Sequence, residues 1–198
     1  MTARQKFLQL IYPFFVGFKK LTGKKNLVNK QHIRGSIPFH SLSVQLNNGQ
    51  FYSFQELKGK KVLLVNTASD CGFTPQYSEL QKLYQQENEK LAIIGFPAND
   101  FKQQEKGSDE QIGQFCKDNF GITFLLVKKS TVVRKPGQHP VFDWLTDREK
   151  NGWTSQQPTW NFSKYLIDEN GILTHYFDPS ASPVGTEIMN AITYKKNI

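Results

Sequence analysis

The sequence predicts an α/β fold: a central mixed β-sheet with helices on both faces. Three observations point there. Residues 62–96 read as strand, helix, strand. Both of those strands are unbroken apolar runs of the kind buried on two faces. A hairpin over 164–177 and a last helix then close the chain.

Each element has its own local cause. Leu42, Val44 and Leu46 alternate with Ser43 and Gln45, which is strand periodicity, and Asn47-Asn48-Gly49 supplies residues that tolerate positive φ at a turn. Phe51–Phe54 is the returning strand of this hairpin, which closes one end of the fold. Val62–Val65 is the first buried strand. After the loop Ala68–Pro75, Thr74 reads as an N-cap and Pro75 as a first helical residue, ahead of Tyr77, Leu80, Leu83 and Tyr84 at helical spacing. Leu91–Phe96 is the second buried strand, and the succession implies a right-handed crossover between parallel strands. Ser108 and Gln111 form a capping box for a helix with Ile112, Phe115 and Cys116 on one face. His139-Pro140 opens a helix through Phe142, Trp144 and Leu145. Lys164–Ile167 and Ile172–Phe177 pair around Glu169-Asn170-Gly171, and a helix follows over Val184–Ile192. This order resembles a thioredoxin-like α/β sandwich with an extra N-terminal β-hairpin.

Composition narrows the function. A chain of 198 residues has room for one domain with a sizeable core, so no staple is required. Two cysteines, Cys71 and Cys116, exclude a disulfide-rich scaffold and form no CxxC pair. His32, His40, His139 and His175 are scattered without metal-ligand spacing, so neither a metal nor a cofactor is expected. No apolar run reaches the ~20 residues that span a bilayer.

The net charge of +8 sits in one place. Residues 1–55 contain no Asp or Glu, while Arg4, Lys6, Lys19, Lys20, Lys24, Lys25, Lys30 and Arg34 all lie in residues 1–35. From residue 36 onward the charges cancel, so the body has no basic stripe and a nucleic-acid partner is not expected. The chain therefore divides into a basic, partly apolar arm (1–35) and a folded domain (36–198). Within the arm, Phe7–Phe18 is mostly apolar, interrupted by Gln9 and Pro13. It reads as a membrane-surface anchor, as an extension packed on the body, or as a signal segment that lacks an A-x-A-like cleavage site.

Cys71 stands at the carboxyl end of a buried strand and just before a helix start, the place where open α/β sheets meet their ligands. Free N–H groups and the partial positive charge of a helix N-terminus favour a thiolate there, and Gly72 leaves room beside the sulphur. Ionisation alone is not enough. A thiol of pKa ~8.5 is about 3% ionised at pH 7, so complete ionisation gains only about thirtyfold. Further donors aimed at the sulphur are required.

The residues that could supply them carry a family resemblance. Asn66-Thr67-Ala68-Ser69-Asp70-Cys71-Gly72-Phe73-Thr74-Pro75-Gln76-Tyr77 resembles the peroxidatic segment of glutathione peroxidases. Phe96-Pro97-Ala98-Asn99-Asp100-Phe101-Lys102-Gln103-Gln104-Glu105 resembles the second signature of that family, and Trp160-Asn161-Phe162-Ser163-Lys164-Tyr165-Leu166 the third. The resemblance runs over about residues 36–193. It implies a peroxidatic Cys71 with Gln104, Trp160 and Asn161 as hydrogen-bonding partners; each of these side chains has an N–H to give. It also implies a thiolate that attacks hydrogen peroxide or an organic or lipid hydroperoxide and becomes a sulfenic acid.

Gln114-Phe115-Cys116-Lys117-Asp118-Asn119-Phe120-Gly121 resembles the resolving segment of the thioredoxin-dependent branch. That implies a Cys71–Cys116 disulfide reduced by thioredoxin or a similar dithiol protein rather than by glutathione. Closing it needs Cα atoms within ~7 Å, so the helix of Cys116 is expected to unwind locally. The chain departs from the family pattern at Ala98, Asp100, Lys102, Lys106 and Leu125, and has no insertion between Cys116 and Trp160 of the kind tetrameric members use. The implied state is a monomer. A thioredoxin-linked reductant suggests the cytoplasm; a signal-like arm would suggest export.

Three other functions compete. A peroxide sensor or redox relay would use the same cysteines. A copper chaperone would need a CxxxC, which Cys71-Gly72-Phe73-Thr74-Pro75 lacks. A non-catalytic membrane-surface protein would work through the arm alone.

Overall fold

The computed structural model describes the backbone of residues 1–22 and 26–193 and the side chains of 1–13 and 26–193. Six strands form the central sheet: β1 (Leu27–Val28), β4 (Lys61–Thr67), β5 (Leu91–Pro97), β6 (Leu125–Leu126), β7 (Lys164–Ile167) and β8 (Leu173–Phe177). Their order is β1-β8-β7-β4-β5-β6, with β4, β5 and β6 parallel and the other neighbours antiparallel. The mixed sheet is as expected. The expected hairpin is also present, as a separate two-stranded sheet of β2 (Ser43–Gln45) and β3 (Phe51–Ser53).

All seven residues of β4 are buried, because the sheet is covered on both faces. One face packs α2 (Gln76–Glu87), α3 (Asp109–Phe120) and α6 (Thr186–Thr193) over Leu63, Val65, Ile93 and Leu166. The other packs α4 (Pro140–Leu145) and the β2–β3 hairpin over Val62, Leu64, Ile94 and Tyr165. A one-turn α5 (Arg148–Asn151) follows α4. Lys61 is a buried cation on β4; its Nζ donates to the carbonyls of Ala191 at 3.2 Å and Ile192 at 2.7 Å and so satisfies the end of α6.

Several helix ends follow their sequence signals. Ser108 and Gln111 close the capping box of α3, and Gly121 ends it in the left-handed region at φ +60°. His139 caps α4 through Nδ1, ahead of Pro140. Thr74 is a correction: it is not an N-cap, and Pro75 precedes α2 rather than opening it. A stack of i→i−3 turns from Cys71 to Ser78 leads into α2 instead, because the Thr74 hydroxyl is committed to the loop before it.

The arm contains a helix, α1 (Ala3–Thr22), whose Tyr12 packs on the body and whose Leu8 and Ile11 are half-buried. No described helix is long and apolar enough to cross a membrane. Leu27 and Val28 add an edge strand to β8, and Asn29 bonds to the backbone of Thr174 and Leu173.

Candidate active site

The site lies at the carboxyl end of β4, where the chain leaves the sheet and turns into α2. The turn is held by Thr74, whose Oγ1 accepts from the Cys71 N–H at 3.0 Å and donates to the Ala68 carbonyl at 2.9 Å. On the β5 side the Asp70 N–H donates to the Gln104 carbonyl at 3.0 Å, and the Ser69 hydroxyl to Glu105 at 3.0 Å. Gly72 follows the cysteine within the turn and is half-buried.

Cys71 is fully buried, and its sulphur accepts a hydrogen bond from the Phe73 N–H at 3.4 Å. The indole of Trp160 and the carboxamide of Asn161 are the other donors that reach it. Gln104 joins through Asn161, which donates to Gln104 Oε1 at 3.0 Å. The structure thus gathers Cys71, Trp160, Asn161 and Gln104 at one point. Gln104 stands behind Asn161 in this arrangement.

Burial pushes the Cys71 thiol up to about 11, against the thiolate that the sequence favours. The N–H of Phe73 and the side chains of Trp160 and Asn161 pull the other way, Asp70 opposes them, and burial outweighs the donors. Stripping water from a sulphur anion costs more here than three donors return.

Cys116 is likewise free, fully buried and part of the same apolar cluster as Cys71. It shares its inward face of α3 with Ile112, and α3 is intact around it. Burial pushes its thiol up to about 12; the Tyr77 hydroxyl lowers it and the Glu105 charge raises it.

Three residues, Asn66, Tyr77 and Glu105, carry the site without a role read from sequence, and Thr74 carries it in a role other than the N-cap. Asn66 donates through Nδ2 to the Trp160 carbonyl at 3.1 Å and to Asn161 Oδ1 at 3.2 Å, and so fixes the turn that presents both. Thr74 braces the cysteine loop as described above. Tyr77 is buried beneath the site and acts on Cys116. Glu105 is a buried carboxyl that burial raises to about 7. Only their place inside the peroxidatic and second signatures hinted at them.

Lys102 shows how a departure from the family pattern is absorbed. It adopts φ +50°, the left-handed region where glycine is at ease, and its Nζ lies 5.7 Å from the centre of the Trp160 ring. Phe101 packs on the same ring at 5.5 Å. Asp100 accepts from the Val132 N–H at 2.7 Å and pairs with Lys135 at 2.6 Å. Among the described residues no group of three His, Cys, Asp or Glu side chains is placed to hold a metal.

Comparison with known proteins agrees with this geometry. The family model described as glutathione peroxidase matches residues 39–146. A glutathione peroxidase homolog BsaA of Staphylococcus epidermidis is 45% identical over 148 residues, which is 73% of this chain and 92% of that protein. The glutathione peroxidase-like peroxiredoxin GPX5 of Chlamydomonas reinhardtii is 44% identical over 146 residues, 73% of this chain and 89% of that one. In the crystal structure of apo Trgpx, 98% of the chain superposes on 81% of this one with a TM-score of 0.61 and 30% identity. The chain belongs to the glutathione peroxidase family and is, by its fold and its cysteine, a thioredoxin-fold thiol peroxidase of that family.

Proposed function

We propose that the protein reduces hydroperoxides through Cys71 and Cys116 and is recycled by a dithiol protein of the thioredoxin type. The reading rests on one observation: the N–H of Phe73 and the side chains of Trp160 and Asn161 converge on the Cys71 sulphur, with Gln104 behind them. The same donors that reach the sulphur stand where a departing oxygen would carry negative charge.

In the first step the Cys71 sulphur attacks one oxygen of R–O–O–H. The S–O bond forms as the O–O bond breaks, and the thiol proton ends on the leaving alkoxide, giving Cys71–SOH and ROH. Burial opposes ionisation of the thiol, so substrate binding or wetting that relieves it favours proton loss. In the second step the Cys116 sulphur attacks the sulfenic sulphur, and water leaves with the Cys116 proton. A dithiol then reduces the disulfide by exchange and is itself oxidised. Glutathione is the less favoured donor, because a second internal thiol is present. We place the chain as a monomer in a reducing compartment.

The test is peroxide turnover with thioredoxin and with glutathione, on the wild type and on Cys116→Ser. The expected result is sustained thioredoxin turnover for the wild type and a single turnover for the variant. Undiminished steady-state turnover of Cys116→Ser would overturn the resolving role. Faster turnover with glutathione than with thioredoxin would overturn the choice of reductant.

A further inference from the structure

Helix α1 lies outside the segment that matches the family, and it is clipped to both cysteine-bearing elements. At its start Thr2 and Gln5 form a reciprocal cap: the Gln5 N–H donates to Thr2 Oγ1 at 3.2 Å and the Thr2 N–H to Gln5 Oε1 at 2.8 Å. The same Gln5 side chain uses Nε2 to donate to the Ser69 carbonyl at 3.0 Å. Arg4 pairs with Asp70 at 3.2 Å, one residue before Cys71. Tyr12 stands edge-on to Phe73, two residues after it, with ring centres 6.3 Å apart, and donates to Glu79 of α2 at 2.9 Å. The amino terminus donates to Asn119 of α3, three residues from Cys116, at 3.3 Å. Between α1 and the body is a cleft of ≈ 420 Å³ lined by Arg4, Gln5, Asp70, Gln104, Glu105 and Phe115 among others.

The described outer face of the same helix carries two exposed apolar side chains. Phe7 is 59% exposed and Leu10 74% exposed, one turn apart, with Lys6 beside them. Every charged side chain in residues 1–55 is a cation. An apolar strip set in a wholly cationic segment is complementary to an anionic lipid surface.

We propose that α1 is a lid that holds the two cysteine segments closed, and that an anionic bilayer is the partner that lifts it. The inference rests on the peroxidase reading above and adds its control. Bilayer binding favours the lifted state for a specific reason. Among the described side chains of the docked helix, Phe7 and Leu10 are the exposed large apolar ones, and Arg4 is occupied by Asp70. Lifted, it adds Leu8, Ile11 and the Arg4 charge. A partner shifts an equilibrium only by its preference for one state, and each aliphatic side chain buried in lipid is worth about tenfold or more. Lifting also wets the loop of Cys71 and frees the last turn of α3, where Cys116 must move.

The test is the rate at which iodoacetamide alkylates Cys71 in the reduced full-length chain, read for each cysteine by peptide mass spectrometry. Vesicles of phosphatidylglycerol with phosphatidylcholine are compared with phosphatidylcholine alone, and binding is measured by sedimentation. The expected result is binding to the anionic vesicles only, with Cys71 alkylation faster by about tenfold or more. Arg4→Glu in buffer places two carboxylates together and is expected to raise the rate about two- to fivefold without lipid. Phe7→Ser with Leu10→Ser is expected to lose the vesicle effect. Anionic vesicles that fail to bind, or that bind without changing the rate, would overturn the proposal. Alkylation that depends on protein concentration without vesicles would assign the exposed strip to a second copy and overturn the lipid assignment. Alkylation consumes no peroxide. A lid that opens in a chain without peroxide turnover would therefore count against the peroxidase reading and not against the lid.

Discussion

Asn161 donates to Gln104 at 3.0 Å, so the two carboxamides act on Cys71 as one coupled unit. Asn161 faces the sulphur, and Gln104 fixes which way Asn161 points. Gln104→Ala and Asn161→Ala are each expected to lower kcat/KM for peroxide by about a hundredfold. The double variant should fall little further, because the second change removes a partner already lost. Losses that multiply would show two independent donors. Circular dichroism separates these effects from unfolding.

Glu105 provides a pH test. Its carboxyl is pushed up to about 7, first by burial, with Asp70 adding to the effect and Ser69 and Lys129 opposing it. The folded state therefore holds the proton more tightly than the unfolded state does. Stability from this group is complete below the ordinary carboxyl range and declines as pH rises from about 4.5 through 7. Glu105→Gln keeps the shape and removes the charge. In urea unfolding it is expected to match the wild type near pH 4.5 and to exceed it above pH 7, by on the order of 3 kcal/mol. A variant that is less stable at pH 8 would mean that the ionised carboxylate is itself well satisfied.

The end of α3 controls the second cysteine. Gly121 closes the helix at φ +60°, and the N–H groups of Gly121 and Ile122 both bond to the Cys116 carbonyl. A Cβ at Gly121 meets nothing within 4 Å, so Gly121→Ala acts through backbone strain alone. It is expected to cost about 1–2 kcal/mol and to fray the turn that carries Cys116. Quenched-flow alkylation after one peroxide pulse should show faster disulfide formation. An unchanged rate with the expected loss of stability would mean that the last turn is not what moves.

Much of this was legible in the sequence. The apolar runs of β4 and β5 have no surface alternative, so their strands follow from composition. The α3 box and the α4 start are local chemistry, set by neighbouring residues. Thr74 failed as an N-cap because two signals overlap: a hydroxyl before a proline and a helix also suits a loop brace, and only the fold brings Ala68 and Cys71 to it. The two-residue strands β1 and β6 have no periodicity to read. How far burial pushes the Cys71 thiol up depends on how much of the whole molecule covers it, and no spacing encodes that. Asn66, Tyr77 and Glu105 matter through residues distant in the chain.

Leu27 pairs with Tyr176 and Val28 with His175, so the chain just after helix α1 is sewn to the sheet edge. The helix of 20 residues is about 30 Å long and can swing only about that pin. Its return to the cysteine loop is consequently an intramolecular event with a local concentration set by the tether, and dilution cannot empty its seat.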